Sequence, residues 1–176
     1  MLKVFEEKGF AVFNSDLAVK NIYESGSVCL SAVAAQFGRD IIFSDGSLNR
    51  ALLAQRAFSS KENTQTLNAI VHPFVTAALL KQIKSEKPSV LVCDAPQLFE
   101  SNIDAICDCI VCVVADKEVR IQRICERDKI SRQEALVRMN AQYDEAFFRS
   151  HSDFTLENNG ELHSLIRKAE KLIEEI

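Results

Sequence analysis

Glycine is scarce in this sequence, and its scarcity limits the phosphate chemistry that the chain can perform. Five of the 176 residues are glycine, at positions 9, 26, 38, 46 and 160. No stretch matches G-x-x-x-x-G-K-[ST], the loop whose backbone amides hold a nucleotide β-phosphate. These 176 residues are therefore expected to contain no backbone cradle for a phosphate.

Charge and hydropathy exclude further classes of protein. The net charge of −4 lacks the basic excess of a nucleic-acid-binding surface. No apolar run approaches the roughly 18 residues of a membrane span. The first ten residues, MLKVFEEKGF, mix charged and apolar positions, unlike a signal peptide. A single globular domain over residues 1–176 is predicted, cytoplasmic by default, with neither nucleic acid nor membrane as a partner. The sequence carries no signal for an oligomeric state.

The six cysteines include one C-x-x-C pair, Cys109 and Cys112. A structural zinc site places such a pair on a turn and needs further ligands nearby. Here the segment CDCIVCVVA is typical of a β-strand, and no second cysteine pair or histidine pair accompanies it. Because free cysteine is among the most buried residue types, we expect core thiols. Disulfides are not expected in a reducing cytosol.

Short apolar runs alternate with helical patterns along the chain. The predicted strands are 10–13, 90–93, 109–114 and, with a weaker pattern, 153–157. The predicted helices are two within 16–37 separated near Gly26, one after Ser47, a long one from Ser59 to about Ile83 with a kink at Pro73, and three later ones over 117–127, 131–143 and after Gly160. The predicted N-caps are Ser47, Ser59 paired with Glu62, Asp116, and Ser131 paired with Glu134. Strands separated by helices predict a parallel α/β sheet.

Acidic residues follow two of the predicted strands. Asp94 ends the apolar run of VLVCDAPQLFE, and Asp16 ends FNSD after the first strand, while ENNG (157–160) follows the last strand. In an open parallel sheet, ligands bind beyond the carboxyl ends of the strands. Carboxylates there are suited to holding a magnesium ion or accepting a proton from a hydroxyl. For Asp16 the alternative interpretation is a simple helix N-cap.

Residues 120–149 contain six arginines and one lysine. Arg120, Arg123 and Arg127 recur at spacings of three and four, on one helix face, and guanidinium groups suit phosphate oxygens. One interpretation is a helical lid over about 117–150 that closes on a polyphosphate. The alternative is a solvated helical pair whose arginines form surface ion pairs with nearby glutamates. Those glutamates are Glu118, Glu126 and Glu134.

The order and spacing of these motifs resemble the dephospho-CoA kinase family over essentially all 176 residues. The segments that carry the resemblance are GFAVFNSDLAVKNIYESG, DGSLNRALLAQRAF, LNAIVHP, DAPQLFE, RICERDKISRQEAL and ENNG. The resemblance implies that the chain uses ATP and Mg²⁺ to phosphorylate the ribose 3′-hydroxyl of dephospho-CoA, the last step of coenzyme A synthesis. Two alternatives stay open: an inactive fragment that binds the acceptor, and another small-molecule or nucleotide kinase of the same fold.

The resemblance also implies roles for individual residues. Asp16 matches the acid that faces the acceptor hydroxyl, and Asp94 an indirect magnesium ligand. The positions that match the acceptor pocket are Phe37, Arg50, His72, Pro73, Leu98, Phe99 and Glu100. The positions that match the nucleotide side are the lid arginines Arg127 (catalytic) and Arg123 (nucleotide-binding), with Asn158 and Asn159 near the base. In two departures, Asn14 replaces an expected aspartate and Gln97 an expected leucine.

The front of the sequence departs most from the family. The family begins with a strand and a glycine-rich loop, whereas Met1 falls inside the helix that should follow them, with Gly9 as its C-terminal stop. The predicted fold is therefore an α/β, three-layer parallel sheet of the P-loop nucleoside/nucleotide kinase type with a helical lid, its central first strand absent from this chain. The leading interpretation is an N-terminally truncated kinase, inactive by itself. The sequence leaves two explanations open for the missing glycine-rich loop, a truncated sequence and a genuine loss.

Overall fold

The structure, a computed structural model, describes residues 2–175. It divides the chain into two compact units, one of Leu2–Ala105 and one that begins at Ile106 and includes the C-terminal helix. Each unit contains one pair of parallel strands. Among the described helices, none has both the length and the apolar character needed to cross a membrane.

In the first unit, one parallel strand precedes a helical crossover and the other follows it. Its elements are α1 (Leu2–Glu7), β1 (Ala11–Asn14), α2 (Ser15–Ile22), α3 (Val28–Phe37), α4 (Arg50–Ala57), α5 (Lys61–Glu86) and β2 (Leu91–Asp94), with 3-10 turns at Arg39–Ile41 and Ile103–Ile106. In the β1–β2 pair, Ala11 lies opposite Leu91 and Asn14 opposite Asp94. Parallel strands cannot be joined by a tight turn, so α2 to α5 provide the crossover.

Helix α5 organises the core of the first unit. Its buried residues recur every four positions and so form one face of the helix: Leu67, Val71, Val75 and Leu79. Helix α5 packs against α2, α3 and α4. In α3, Leu30 and Val33 are almost completely buried. Pro73 lies inside α5, and the helix continues beyond it to Glu86.

Gly9 ends α1, as the sequence predicted. Its φ is 86°, in the left-handed region that glycine favours. The Gly9 and Phe10 amides donate to the carbonyls of Glu6 and Phe5 at 2.9 and 3.1 Å, which is the Schellman pattern of a helix C-terminus. The Phe5 and Phe10 rings meet edge-on with their centroids 6.0 Å apart, supplying the apolar contact that accompanies this motif.

The second unit repeats the parallel pairing with a different set of helices. Its elements are β3 (Val111–Val114), α6 (Lys117–Asp128), α7 (Arg132–Asn140), α8 (Glu145–Ser150), β4 (Phe154–Glu157) and α9 (Leu162–Glu175). β3 and β4 are parallel, with Val111 opposite Phe154. The predicted capping box of Ser131 and Glu134 is confirmed, although α7 ends at Asn140 rather than near Tyr143. The core includes Ile121, Ala135, Leu156, Leu165, Ala169 and Leu172.

Two predicted helix caps are wrong by one or two residues. Helix α4 is capped by Asn49, because the Ser47 hydroxyl instead donates to the carboxylate of Asp45 at 2.6 Å in the preceding turn. Helix α5 is capped by Ser60, because the Ser59 hydroxyl donates to a backbone carbonyl of α4 at 2.7 Å. In both cases a neighbouring residue with the same capping chemistry takes the position.

The predicted single sheet and one of the predicted core thiols also differ from the structure. The described residues form two separate two-stranded sheets, with no ladder between β2 and β3. The single sheet was expected to be built around a central strand, which none of the described strands supplies. Cys112 is buried within β3, as predicted, but Cys109 precedes that strand and is exposed.

Candidate active site

The parallel register of the first unit brings two predicted site segments together. Asn14 and Asp94 are paired at the carboxyl ends of β1 and β2, as expected for ligand-binding positions in a parallel sheet. The Asn14 side chain accepts a hydrogen bond from the Leu17 amide at 2.9 Å and caps α2. The interpretation of Asp16 as a simple N-cap is therefore wrong. Asp16 lies exposed in the first turn of α2, and within residues 2–175 the structure gives its carboxylate no partner.

The segment after Asp94 folds back through a tight, backbone-bonded turn. The amides of Asn102 and Ile103 donate to the carbonyls of Phe99 and Leu98 at 3.2 and 3.1 Å. Asn102 has a φ of 55°, so it occupies the left-handed position of a Schellman-like turn. This backbone pattern fixes the direction of the residues from Glu100 to Asn102.

A cleft of about 760 Å³ lies between this turn and α5. Three predicted acceptor-pocket residues line it: His72, Pro73 and Glu100. The His72 ring nitrogen Nε2 lies 3.2 Å from Gln97 Oε1, a contact that joins α5 to the segment after β2. Because an amide oxygen can only accept, His72 Nε2 donates in this contact.

The other predicted acceptor residues lie elsewhere in the first unit. Phe37 is 8% exposed and belongs to the core. Arg50 begins α4, and its guanidinium carbon lies 5.9 Å from the centre of the Tyr23 ring. Burial raises the pKa of Tyr23 to about 12. Leu98 and Phe99 are partly exposed and belong to the turn itself, so they position the cleft residues without lining the cleft.

Sequence reasoning missed several polar residues of the cleft. They are Gln65, Asn68, Thr76, Ser101 and Asn102. The signal that could have found the α5 members is the spacing of Asn68, His72 and Thr76, which are four residues apart and therefore share a helix face. The partners across the cleft are visible only once the turn after β2 is folded.

In the second unit, the ENNG segment is tied to the start of α6. Asn159 and Asp116 form a reciprocal pair: the Asp116 amide donates to Asn159 Oδ1 at 2.7 Å, and Asn159 Nδ2 donates to Asp116 Oδ1 at 2.9 Å. Asp116 is the N-cap residue of α6, as predicted, but its carboxylate bonds to Asn159 rather than to the helix amides. The Asn158 amide donates to the carbonyl of Val114 at 2.8 Å.

Arg123 holds the same loop from α6. Its two terminal nitrogens donate to the carbonyls of Asn158 and Gly160, at 2.7 and 3.1 Å. The structure thus brings together three predicted nucleotide-site residues, Arg123, Asn158 and Asn159. The guanidinium of Arg123 is occupied by the loop backbone in this arrangement.

Most of the remaining arginines of 120–149 form ion pairs. Asp128, with 19% of its side chain exposed, accepts from Arg127 Nε at 2.7 Å and from Arg138 at 2.6 Å. Arg132 pairs with Glu118 at 2.7 Å, and Arg149 with Glu145 and Glu157. The ion-pair interpretation is therefore confirmed for four arginines, although only one predicted glutamate partner, Glu118, is used. The hydrogen bonds that Arg127 donates to Asp128 lower the pKa of the Asp128 carboxyl and raise the pKa of the Arg127 guanidinium.

Within residues 2–175, no group of three or more His, Cys, Asp or Glu side chains is arranged to hold a metal ion by itself. Magnesium is usually bound through one or two carboxylates together with substrate phosphates and water. The single exposed carboxylate of Asp94, at the end of β2, fits that mode of binding.

A parallel α/β fold with carboxylates at the strand ends and arginine-bearing helices is typical of the nucleotide-kinase class of proteins. A family model described as dephospho-CoA kinase matches residues 1–164. The dephospho-CoA kinase of Fusobacterium nucleatum is 38% identical over 175 residues, which cover 99% of this chain and 90% of that protein. That of Arabidopsis thaliana is 32% identical over 176 residues, covering 98% and 76%. The chain belongs to the dephospho-CoA kinase family.

Solved structures agree with this fold. A crystal structure from Thermus thermophilus has a TM-score of 0.78 to this chain at 27% identity, covering 99% of this chain and 88% of that one. The dephospho-CoA kinase of Campylobacter jejuni has a TM-score of 0.70 at 23% identity, covering 98% and 88%. The second likeness shows a shared fold.

Asp128→Asn should weaken the link between α6 and α7 in a pH-dependent way. Because the folded-state pKa of Asp128 is lowered, its stabilisation is present above the unfolded-state pKa of about 4 and is lost as the pH falls through the lower folded value. We expect wild type to unfold at higher urea concentration than the variant at pH 7, with the difference closing below about pH 4.

The control for this experiment is Asp108→Asn, at an exposed position for which the described residues show no ion pair. Urea unfolding between pH 3 and pH 7 measures both variants. An Asp128→Asn effect of the same size at every pH would contradict the ion-pair assignment.

Proposed function

We propose that this protein transfers the γ-phosphate of ATP to the ribose 3′-hydroxyl of dephospho-CoA, the last step of coenzyme A synthesis. The observation that carries the proposal is the register of Asn14 with Asp94. This register pairs the residue that precedes α2, whose first turn contains Asp16, with the residue that ends β2. Membership of the dephospho-CoA kinase family over residues 1–164 supports the choice of substrate.

The proposed role of Asp16 is to accept the proton of the attacking hydroxyl. As the 3′-oxygen bonds to the γ-phosphorus, the bond to the β–γ bridging oxygen breaks, ADP leaves, and the hydroxyl proton passes to the carboxylate. Asp16 is exposed in the first turn of α2, so an acceptor hydroxyl can reach its carboxylate.

Asp94 is the proposed magnesium residue. Its exposed carboxylate, at the end of β2, would hold Mg²⁺ together with water and the ATP phosphates, and the ion would neutralise charge on those phosphates.

The helices between residues 117 and 150 are the proposed lid. Arg127 is 74% exposed in its side chain and pairs with Asp128. Exposed ion pairs contribute little stability, so phosphate oxygens can replace the Asp128 carboxylate at a small free-energy cost. Arg123, held against Asn158 and Gly160, is proposed to keep the nucleotide loop in place.

The phosphate cradle is proposed to come from a strand and glycine-rich loop outside residues 1–176. This follows from the absence of G-x-x-x-x-G-K-[ST] in the sequence together with the small size of the β1–β2 sheet, which has only two strands in the described chain.

An assay with ATP and dephospho-CoA tests the proposed function. A form extended by the strand and glycine-rich loop of a family member should produce ADP and the 3′-phosphorylated product, whereas the 176-residue chain should show no turnover. Mass spectrometry and ³¹P NMR of the product identify the position of the new phosphate. Nucleoside monophosphates serve as competing acceptors.

The outcomes separate the alternatives. Turnover by the 176-residue chain would refute the proposed need for an added loop. Phosphorylation of nucleoside monophosphates alone would assign the chain to another kinase activity. Binding of dephospho-CoA without turnover by either form would identify a binding module.

Asp16→Asn in the extended form should lower kcat by about 100-fold or more, the usual scale for loss of a general base. Acceptor affinity and unfolding should change little, because Asp16 is not the α2 cap. The matched control is Asn14→Ala, which removes the cap and should reduce stability by about 1 kcal/mol. Near wild-type turnover of Asp16→Asn would sink the assignment.

Arg127→Ala in the extended form should lower kcat more than it raises the KM for ATP, because charge on the transferring group peaks in the transition state. Arg127→Lys should restore activity only in part, since an ammonium group cannot form the bidentate contact. Arg132→Ala, which removes a comparable exposed ion pair with Glu118, is the control. An unchanged kcat in Arg127→Ala would mean that Arg127 serves only in a surface ion pair and has no catalytic role.

A further inference from the structure

Lys168 of α9 contacts the loop that follows β4. Its ammonium nitrogen Nζ donates to the backbone carbonyl of Glu157 at 2.7 Å. Glu157 is the last residue of β4, and the proposed nucleotide loop continues from it. Lys168 lies outside residues 1–164, the part of the chain that the family model matches. The family match therefore assigns no role to this lysine.

The Lys168 contact holds one peptide group of the loop. The carbonyl of Glu157 and the amide of Asn158 belong to the same planar peptide group, which is trans. The N–H and C=O bonds of a trans peptide point in opposite directions. The Asn158 amide donates to the carbonyl of Val114 at 2.8 Å, while the Glu157 carbonyl accepts from Lys168. The peptide group is therefore held from two sides, and both contacts oppose its rotation.

Arg123 holds the next peptide group. One of its terminal nitrogens donates to the carbonyl of Asn158 at 2.7 Å. The α-carbon of Asn158 thus lies between two peptide groups, one bonded to Lys168 and one to Arg123. Because peptide groups are planar, fixing both of them fixes the φ and ψ angles of Asn158 and the direction of its Cα–Cβ bond. Both donors are charged, and charge-assisted hydrogen bonds are the stronger kind.

The Asn158 side chain is available to a ligand. The carboxamide of its neighbour Asn159 is already bonded to Asp116. Within residues 2–175 the structure gives the Asn158 carboxamide no hydrogen-bond partner, and the residue is partly exposed. A carboxamide both donates and accepts, which suits the ring nitrogen and the amino group on one edge of adenine. The orientation of Asn158 therefore bears directly on how the loop meets a nucleotide base.

The packing of α9 does not depend on Lys168. The buried residues of this helix are Leu165, Ala169 and Leu172, which share one face. Lys168 is exposed, and its hydrogen bond to the loop lies at an exposed site. Water can replace the lost donor there, so that no buried group is left unsatisfied. Removing the ammonium group should therefore change the loop and leave the stability of the fold almost unaltered.

We propose that Lys168 is a positioning residue for the nucleotide, which keeps Asn158 in the orientation that contacts the base of ATP. This proposal rests on the proposed function. Without Lys168, the peptide group before Asn158 is held only through the Val114 carbonyl, and Asn158 samples more orientations. The base then binds more weakly. The phosphoryl transfer itself continues at its usual rate, because the residues proposed for it lie outside this loop.

Substrate kinetics of the extended form test the role of Lys168. Lys168→Met should raise the KM for ATP by about 5-fold, the usual scale for one lost hydrogen bond, with kcat, the KM for dephospho-CoA and the urea midpoint at their wild-type values. Lys168→Arg keeps a charged donor and should restore the KM for ATP in part. The matched control is Lys171→Met on the same helix, whose lysine is 77% exposed and pairs with Glu175 at 3.8 Å. It should leave every parameter unchanged.

A double-mutant cycle tests whether Lys168 acts through Asn158. Asn158→Ala should itself raise the KM for ATP, and adding Lys168→Met to it should raise that KM no further. Additive effects of the two substitutions would overturn the proposal. An unchanged KM for ATP in Lys168→Met, or an equal rise in the KM values of both substrates, would also overturn it.

ATP binding without the acceptor separates this proposal from the proposed function. Calorimetric titration of the extended form with ATP should show about 5-fold weaker binding by Lys168→Met than by wild type or Lys171→Met. Absence of dephospho-CoA phosphorylation would count against the proposed function, while this difference in ATP affinity would still support the role of Lys168. Equal ATP affinity of wild type and Lys168→Met, or no ATP binding by either, would overturn that role.

Discussion

The parallel pairing of β1 with β2 is the constraint on which the candidate site depends. Strands that run in the same direction must end at the same edge of the sheet, so the register of Asn14 with Asp94 places the start of α2 and the turn after β2 side by side. The same pairing requires a crossover, and this crossover contains α5. One ladder of backbone hydrogen bonds therefore sets the positions of Asp16, Asp94 and the helix that lines the cleft.

Backbone geometry then fixes the direction of the side chains at the ends of these strands. The Asn14 side chain caps α2, and Asp16, in the first turn of that helix, is exposed. Asn102 occupies a left-handed position, which reverses the chain and holds the residues after Phe99 against α5. In the second unit, the Asp116–Asn159 pair joins the segment that follows β3 to the segment that follows β4. In each case a short polar residue at a strand or turn end fixes the direction of the next segment.

The sequence predicted those parts of the structure that depend on local pattern. All four strands lie within a residue or two of their predicted positions, since buried apolar runs with helices between them are unambiguous. Caps were less predictable, because Asn49 and Ser60 have the same capping chemistry as Ser47 and Ser59. The hydroxyls of Ser47 and Ser59 bond instead to Asp45 and Arg56, two and three residues away. The cleft could not be predicted, because Thr76 and Asn102 become neighbours only after β2 has folded against β1.

The pairing of the arginines explains how a protein of net charge −4 can be suited to a polyanionic substrate. The arginines of 120–149 that the structure pairs are either neutralised by a carboxylate such as Asp128 or, as at Arg123, hydrogen-bonded to loop carbonyls. Exposed pairs of this kind are weak, so a phosphate can replace a carboxylate with little net change in free energy. The carbonyl contacts of Arg123 differ, because they join α6 to the backbone of the loop at Asn158 and Gly160. This difference supports the proposal that Arg127 exchanges its carboxylate partner for phosphate while Arg123 stays with the loop.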